Sequence, residues 1–255
     1  MTHAPAPGEP YEAGGGSVGV LLCHGFTGSP VAMRPWAEHL LGAGFRVSLP
    51  RLPGHGTTWQ ELNRTPWTAW YAEVDRAFTE LSRVCTQVFV VGLSMGGTLA
   101  LRLAEQHGDA VSGLVLVNPA IRIADPRMRV LPVLQLVVPS LAAIAGDIAK
   151  NVEGDPMYEG AYPRTPLRAL HSQTKMWRDV RQNLGRVDQP LLVYRSLNDH
   201  VADPSSIELI KAKVLSRDHS YVELTRSYHV ATLDFEADDI FDGSVKFIRR
   251  LAAAH

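Results

Sequence analysis

A serine between glycines stands directly after an apolar run of β-prone residues. The segment GLSMGG at 92–97 follows VFVV at 88–91, and an Ala- and Leu-rich stretch over 98–107 comes next. This order predicts a strand, a sharp turn and a helix, and glycines two residues on either side of Ser94 let the turn form without Cβ clashes. The pattern therefore predicts that the turn presents Ser94 as a nucleophile.

A serine hydroxyl is a weak nucleophile at neutral pH, so it needs a general base and a carboxylate that orients the base. Asp199 stands in RSLNDH (195–200) and His229 in SYHV (227–230), each just after a strand-like run. Loops that follow parallel strands meet at one edge of the sheet. The sequence thus predicts a triad of Ser94, His229 and Asp199.

Other acids and histidines compete for these roles. Asp203 precedes Pro204 and is interpreted as a helix cap, whereas Asp234 lies beyond the histidine. His24 and His55 lie in glycine-bracketed loops and are interpreted as loop-positioning residues, and His200 as a neighbour of the acid.

Acyl transfer passes through an oxyanion, which two backbone N–H groups commonly bind. The residue after the nucleophile, Met95, supplies the first. We expect the second from Phe26, in the loop HGFTG at 24–28 that follows a predicted strand. The alternative is that Gly25 and Gly28 are simply turn residues.

Strand-like and helix-like segments alternate from residue 18 onward, which predicts an α/β fold with a mostly parallel sheet flanked by helices. The predicted strands are 18–23, 46–49, 87–91, 111–117, 190–195 and 219–224. The predicted helices are 30–43, 66–83, 95–107, 166–185, 204–214 and 237–253. We expect a flexible leader at 1–17, a core at 18–119 and 166–255, and an inserted cap at 120–165.

The composition excludes several classes of function. The chain has 255 residues, and its 25 Lys and Arg balance its 26 Asp and Glu. It therefore has no excess of positive charge that would attract nucleic acid. The longest apolar stretch, 130–146, is interrupted by Pro132, Gln135, Pro139 and Ser140, which argues against a spanning helix. The first 16 residues do not have the pattern of a secretion signal, so we expect a cytoplasmic protein.

With these residues assembled, the chain resembles the bacterial monoacylglycerol lipases and small carboxylesterases of the α/β-hydrolase fold. The likeness covers about 18–250 and rests on five matching segments. They are VLLCHGFTG at 20–28, LPRLPGHG at 49–56, GLSMGGT at 92–98, DHV at 199–201 and SYHVATLD at 227–234. The resemblance implies the same triad and the same oxyanion hole as the residues themselves.

The resemblance also implies a lipid ester substrate, no cofactor and no metal. In this family a glutamate of the cap binds the glycerol hydroxyls, and it lies a few residues before an Ala-Tyr-x-x-Thr-Pro segment. AYPRTP at 161–166 matches that segment, so Glu159 is the candidate for the glycerol-binding glutamate. The alternative interpretation is that Glu159 is a solvent-exposed charge in a loop. Ile144 is the expected apolar neighbour of the glycerol. Two other functions stay open: an esterase acting on short-chain esters or lysophospholipids, and a ligand-binding scaffold without catalysis.

The cap carries more apolar side chains than a loop needs: Leu131, Val133, Leu134, Leu136, Val137, Val138, Leu141 and Ile144. One interpretation is a lid that contacts micelles or membranes transiently, so that the protein is peripheral to the membrane. The other is packing of the cap onto the core or onto a partner in a homodimer.

Overall fold

The structure, a computed structural model, describes residues 8–143 and 160–253. Its strands are β1 (Tyr11–Ala13), β2 (Val18–Cys23), β3 (Arg46–Leu49), β4 (Gln87–Leu93), β5 (Gly113–Val117), β6 (Ser140–Ala142), β7 (Arg164–Pro166), β8 (Leu191–Ser196) and β9 (His219–Leu224). Its α-helices are α1 (Arg34–Gly42), α2 (Trp59–Leu62), α3 (Trp67–Val84), α4 (Met95–His107), α5 (Leu131–Val137), α6 (Leu167–Asn183), α7 (Ser205–Lys213) and α8 (Ala237–Ala252). None of these helices is long and apolar enough to cross a bilayer.

Seven strands form the central sheet in the order β1-β3-β2-β4-β5-β8-β9. All neighbouring pairs are parallel except β1 with β3. The α/β prediction is confirmed, and each predicted core strand lies within about two residues of its observed bounds. Because β4, β8 and β9 run in the same direction, the loops after them emerge at one edge of the sheet.

Alternate residues of each central strand enter two different hydrophobic clusters, as a sheet covered on both faces requires. In β4, Val88 and Val90 pack on the face covered by α3, α4 and α6. Phe89 and Val91 pack on the opposite face, against α1 and α8. Both faces of the central strands are therefore buried, and β2, β4 and β5 are nearly continuous apolar runs.

Helix α8 illustrates how the pattern of residues produces this packing. Ile240, Phe241, Val245 and Ile248 recur at helical spacing and are buried on the α1 side of the sheet. Acidic residues occupy the first turn of the helix and arginines the last, which complements the helix dipole.

The region predicted as a cap contains α5 and a small antiparallel pair, β6 with β7. Ser140 pairs with Pro166 and Ala142 with Arg164, so residues 140–142 meet the end of the region just before α6 begins. Most of α5 faces outward: among its apolar residues, Leu131 is buried, whereas Val133, Leu136 and Val137 are exposed.

Three strands of the described residues were not predicted, namely β6, β7 and β1. In place of the flexible leader expected at 1–17, residues 11–13 form β1 and pair antiparallel with β3, so that prediction is wrong for this stretch. A three-residue strand beside a glycine run has too short an alternation to be recognised in sequence. Its pairing depends on β3, which lies more than thirty residues away.

Candidate active site

Ser94 occupies the turn between β4 and α4 with φ 55° and ψ −116°. This positive φ is strained for a residue with a Cβ. The turn is tight because a Cβ on Gly92 would overlap Gly96, and a Cβ on Gly96 would overlap the Cys23 carbonyl. The predicted strand-turn-helix is present, and it holds the serine at the carboxyl end of β4.

His229 and Asp199 meet at the same edge of the sheet. The Nδ1 atom of His229 lies 2.8 Å from Oδ2 of Asp199, and the two side chains are 5% and 6% exposed. A buried carboxylate on Nδ1 favours the tautomer with its proton on Nδ1 and leaves Nε2 free to accept a proton. Asp199 follows β8 and His229 follows β9, as the sequence predicts.

The surroundings of Asp199 keep it ionised. Burial acts to raise the pKa of its carboxyl, but His229 and the backbone N–H groups of Val201 and Ala202 outweigh burial, and the pKa lies below its ordinary value. The two N–H groups donate to Oδ1 at 2.8 and 3.0 Å. One oxygen is thus anchored by the backbone while the other accepts from the histidine.

The loop before His229 is held by two acids. The Glu236 carboxylate accepts the backbone N–H groups of Thr225, Arg226 and Ser227 at 2.9, 3.1 and 2.8 Å. Asp234 accepts the N–H of Tyr228 at 2.7 Å, so its carboxylate is bound to the loop backbone. The sequence analysis did not identify Glu236, although its place seven residues after the histidine was the available signal.

The expected oxyanion donors lie in two adjacent backbone segments. Met95 is the first residue of α4, and Phe26 lies in the loop after β2. A Cβ on Gly25 would stand 3.5 Å from Cβ of Ser94, so this loop lies directly against the serine. Within the described residues neither N–H donates to a protein acceptor.

His24 and His55 are buried and neutral. Burial lowers the pKa of His24 to about 4. Burial, followed by the facing His24, holds the pKa of His55 well below its ordinary value. Nε2 of His24 accepts the N–H of Leu52 at 3.1 Å, and its Nδ1 contacts the Gly25 carbonyl at 3.0 Å. These contacts agree with the predicted loop-positioning role.

Asp203 and His200 lie beside the acid without joining the pair. Asp203 accepts the N–H of Ser205 at the start of α7 at 2.9 Å, and its other oxygen accepts from Ala124 at 2.5 Å. His200 is exposed and its ring stands 6.3 Å from that of Tyr228. The contact of Asp203 with Ser205 agrees with its interpretation as a helix cap. The position of His200 agrees with its interpretation as a neighbour of the acid.

Tyr162 joins two loops near the site, a role that the sequence analysis did not identify. Its hydroxyl donates to the Gly54 carbonyl and accepts the N–H of Thr57, both at 2.8 Å. Its own N–H donates to the Thr27 carbonyl at 3.2 Å. The segment that closes the cap region is thereby joined to the loop that carries Phe26.

Two predicted substrate-binding residues, Glu159 and Ile144, lie outside the described residues. Within 8–143 and 160–253, no group of three or more His, Cys, Asp or Glu side chains is arranged to hold a metal ion.

The sequence of the chain is similar to those of known hydrolases, among them ester hydrolases. The family described as serine aminopeptidase S33 matches residues 18–236. A thermostable monoacylglycerol lipase from Bacillus sp. (strain H-257) is 38% identical over 96% of this chain and 95% of its own. A carboxylesterase from Bacillus subtilis (strain 168) is 27% identical over 95% of this chain and 97% of its own.

A solved structure from a study of the metagenome-derived lipolytic enzymes LipS and LipT superposes with a TM-score of 0.90. It is 37% identical and covers 96% of this chain and 98% of its own. The resemblance inferred from the five sequence segments is confirmed by these matches.

Proposed function

The chain belongs to the serine hydrolase family described as serine aminopeptidase S33, and we propose that it hydrolyses monoacylglycerols to a fatty acid and glycerol. The observation that carries the proposal is the strained Ser94 at the same sheet edge as the buried pair of His229 and Asp199. The substrate class is supported by the 38% identity to the Bacillus monoacylglycerol lipase along nearly the whole chain.

In the proposed mechanism, Oγ of Ser94 attacks the acyl carbonyl while Nε2 of His229 removes its proton. Asp199 stabilises the imidazolium, and the N–H groups of Phe26 and Met95 bind the oxyanion of the tetrahedral intermediate. Collapse of the intermediate breaks the ester bond, and His229 protonates the departing glycerol. Water, activated by the same histidine, then attacks the acyl-enzyme and releases the fatty acid.

The test is a panel of initial rates with Ser94→Ala as the blank. It includes 1-monoacylglycerols of increasing chain length, matched p-nitrophenyl esters, a lysophospholipid, a diglyceride, a triglyceride and an aminoacyl p-nitroanilide. We expect strong monoacylglycerol turnover and little turnover of the di- and triglyceride. Activity confined to short p-nitrophenyl esters would instead support the carboxylesterase alternative, which the Bacillus subtilis relative favours. Absence of any Ser94-dependent turnover would support a scaffold without catalysis.

Glu159 is proposed to bind the glycerol hydroxyls, on the family pattern before AYPRTP. Glu159→Ala should raise KM for monoacylglycerols while leaving p-nitrophenyl ester turnover within about twofold, because only the glycerol offers hydroxyls to a carboxylate. Glu153→Ala, another acid of the same segment, is the matched control. Equal effects of the two substitutions would rule out a specific glycerol contact. Ile144→Ala belongs in the same series, with a smaller expected rise in KM.

The outward face of α5 supports transient contact with a lipid aggregate. Val133, Leu136 and Val137 are 69%, 66% and 77% exposed. Such a patch on a soluble domain marks a surface for a lipid or a protein partner. Cosedimentation with monoacylglycerol-containing vesicles should fall for Val133→Asp and Val137→Asp. A change in sedimentation coefficient without a change in vesicle binding would assign this face to a homodimer.

A further inference from the structure

Asn118 is the first residue after β5 and is almost completely buried. Its φ is 45°, a left-handed conformation that asparagine and glycine adopt more readily than other residues. No nucleophile, base or oxyanion role falls to it. Its side chain nevertheless stands between the loop that carries His229 and the strand that leads to Asp199.

Both the Nδ2 and the Oδ1 atom of the Asn118 side chain are hydrogen-bonded to these two elements. Its Nδ2 donates to the His229 carbonyl at 2.8 Å and to Oγ of Ser196 at 2.9 Å, with a third contact to the Tyr228 carbonyl at 3.3 Å. Its Oδ1 accepts the backbone N–H of Ser196 at 2.7 Å. A carbonyl can only accept and a backbone N–H can only donate, so these partners set the orientation of the amide.

The backbone around Asn118 holds the nucleophile. The Val117 carbonyl, immediately before it, accepts the N–H of Ser94 at 2.9 Å. The N–H of Ala120, two residues after it, donates to the Ser94 carbonyl at 3.2 Å. Asn118 also donates its own N–H to the Tyr194 carbonyl in β8 at 2.9 Å.

One short segment therefore contacts the backbone of all three elements of the triad. We propose that Asn118 is a positioning residue that sets the base and the acid relative to the nucleophile. The proposal rests on the triad of the proposed function. The rate of a reaction between oriented groups depends steeply on the distance between them, and a displacement of about 1 Å can lower the rate about 100-fold. The loss of the Asn118 side chain should accordingly lower kcat much more than it changes KM.

Two substitutions separate the side chain from the backbone conformation. Asn118→Gly removes every side-chain hydrogen bond and tolerates the positive φ. Asn118→Asp keeps the shape and an acceptor for the Ser196 N–H, but an ionised carboxylate cannot donate to the His229 carbonyl. The matched control is Ser112→Ala at the opposite end of β5, where the Ser112 hydroxyl accepts the Val88 N–H at 3.2 Å.

Three readouts are taken on each protein: the melting temperature, kcat and KM on the best ester of the panel, and the low-field proton NMR signal of the His229 Nδ1–H that faces Asp199. We expect Asn118→Gly and Asn118→Asp to lower kcat by about 10- to 100-fold with KM within about twofold. We also expect the low-field signal to shift or vanish in both variants. Ser112→Ala should keep wild-type kcat and the wild-type signal even if it melts at a lower temperature.

Wild-type kcat and an unchanged signal in either folded Asn118 variant would overturn the proposal. An equal fall in kcat for Ser112→Ala at the same loss of stability would also overturn it, because general destabilisation would then account for the effect. If Asn118→Gly does not fold, Asn118→Asp decides by the same criteria. The NMR comparison needs no substrate, so it tests the positioning role even if the proposed monoacylglycerol activity is not found.

Discussion

Nδ1 of His229 and Oδ2 of Asp199 are 2.8 Å apart although thirty residues separate them in the chain. The pair is buried, and the other Asp199 oxygen is anchored by two backbone N–H groups. This arrangement constrains the imidazole ring on one side only. Its second nitrogen remains available for proton transfer.

Asp199→Asn should lower kcat by about 10³- to 10⁴-fold with a small change in KM. An amide cannot stabilise the imidazolium as a carboxylate does, and it can select the wrong tautomer. The measurement is steady-state kinetics on the best ester of the panel. Asp203→Asn is the control, since Asp203 binds Ser205 and Ala124, and it should cost less than about tenfold. Equal losses in the two variants would contradict the assignment of the acid.

Ser94→Ala and Ser94→Gly should both abolish turnover, but they should differ in stability. Alanine keeps the strain of the positive φ, which costs about 1 to 3 kcal/mol, whereas glycine relieves it. Part of this gain is offset because glycine makes the unfolded chain more flexible. We expect the free energy of unfolding in urea to be about 1 kcal/mol higher for the glycine variant. A less stable glycine variant would show that the turn is not strained.

Tyr162→Phe should loosen the contact between the end of the predicted cap region and the loop at 54–57. The substitution removes the hydroxyl that joins Gly54 and Thr57, at a cost of about 1 kcal/mol in the free energy of unfolding. Amide hydrogen exchange should accelerate at 52–57, whereas the loop at 24–28 keeps its bond from the Tyr162 N–H to the Thr27 carbonyl. Tyr71→Phe is the control, because the Tyr71 hydroxyl has a long contact of 3.4 Å to Asp75. Unchanged exchange at 52–57 would contradict the prediction.

Glu105→Gln should change how stability depends on pH. The Glu105 side chain is buried beside Arg102, and burial raises its pKa to about 8 although Arg102 opposes the rise. The folded state therefore holds this proton between about pH 4.5 and 8, where the unfolded state releases it. Through this group, wild-type stability falls as the pH rises across that window, by up to about 1.4 kcal/mol per pH unit.

Glutamine does not titrate, so the difference in unfolding free energy between Glu105→Gln and wild type should grow from pH 4.5 to 8 and then level off. Urea denaturation of both proteins at several pH values measures this difference. Parallel stability curves would show that Glu105 is ionised in the folded protein.

Most of the sheet could be predicted from the sequence because strands buried on both faces leave long apolar runs between glycines and prolines. The turn at Ser94 could also be predicted, since its glycines are required locally by the tight backbone. The placement of Asp199 and His229 followed from topology alone, because loops after parallel strands share an edge. None of these inferences needed a contact between side chains.

The sequence did not reveal β1, the anchoring of the histidine loop by Glu236, the bridge made by Tyr162 or the contacts of Asn118. The pairing of β1 and the contacts of Tyr162 and Asn118 depend on hydrogen bonds between distant segments: Asn118 lies 78 residues before Ser196 and 111 before His229. The bonds of Glu236 span only 9 to 11 residues, but they too depend on how the loop folds. A hydrogen bond requires two groups at a set distance and angle, and residue order does not encode that geometry. The sequence by itself thus determined which groups can do the chemistry and at which edge they meet, whereas only the tertiary structure decided what holds them in place.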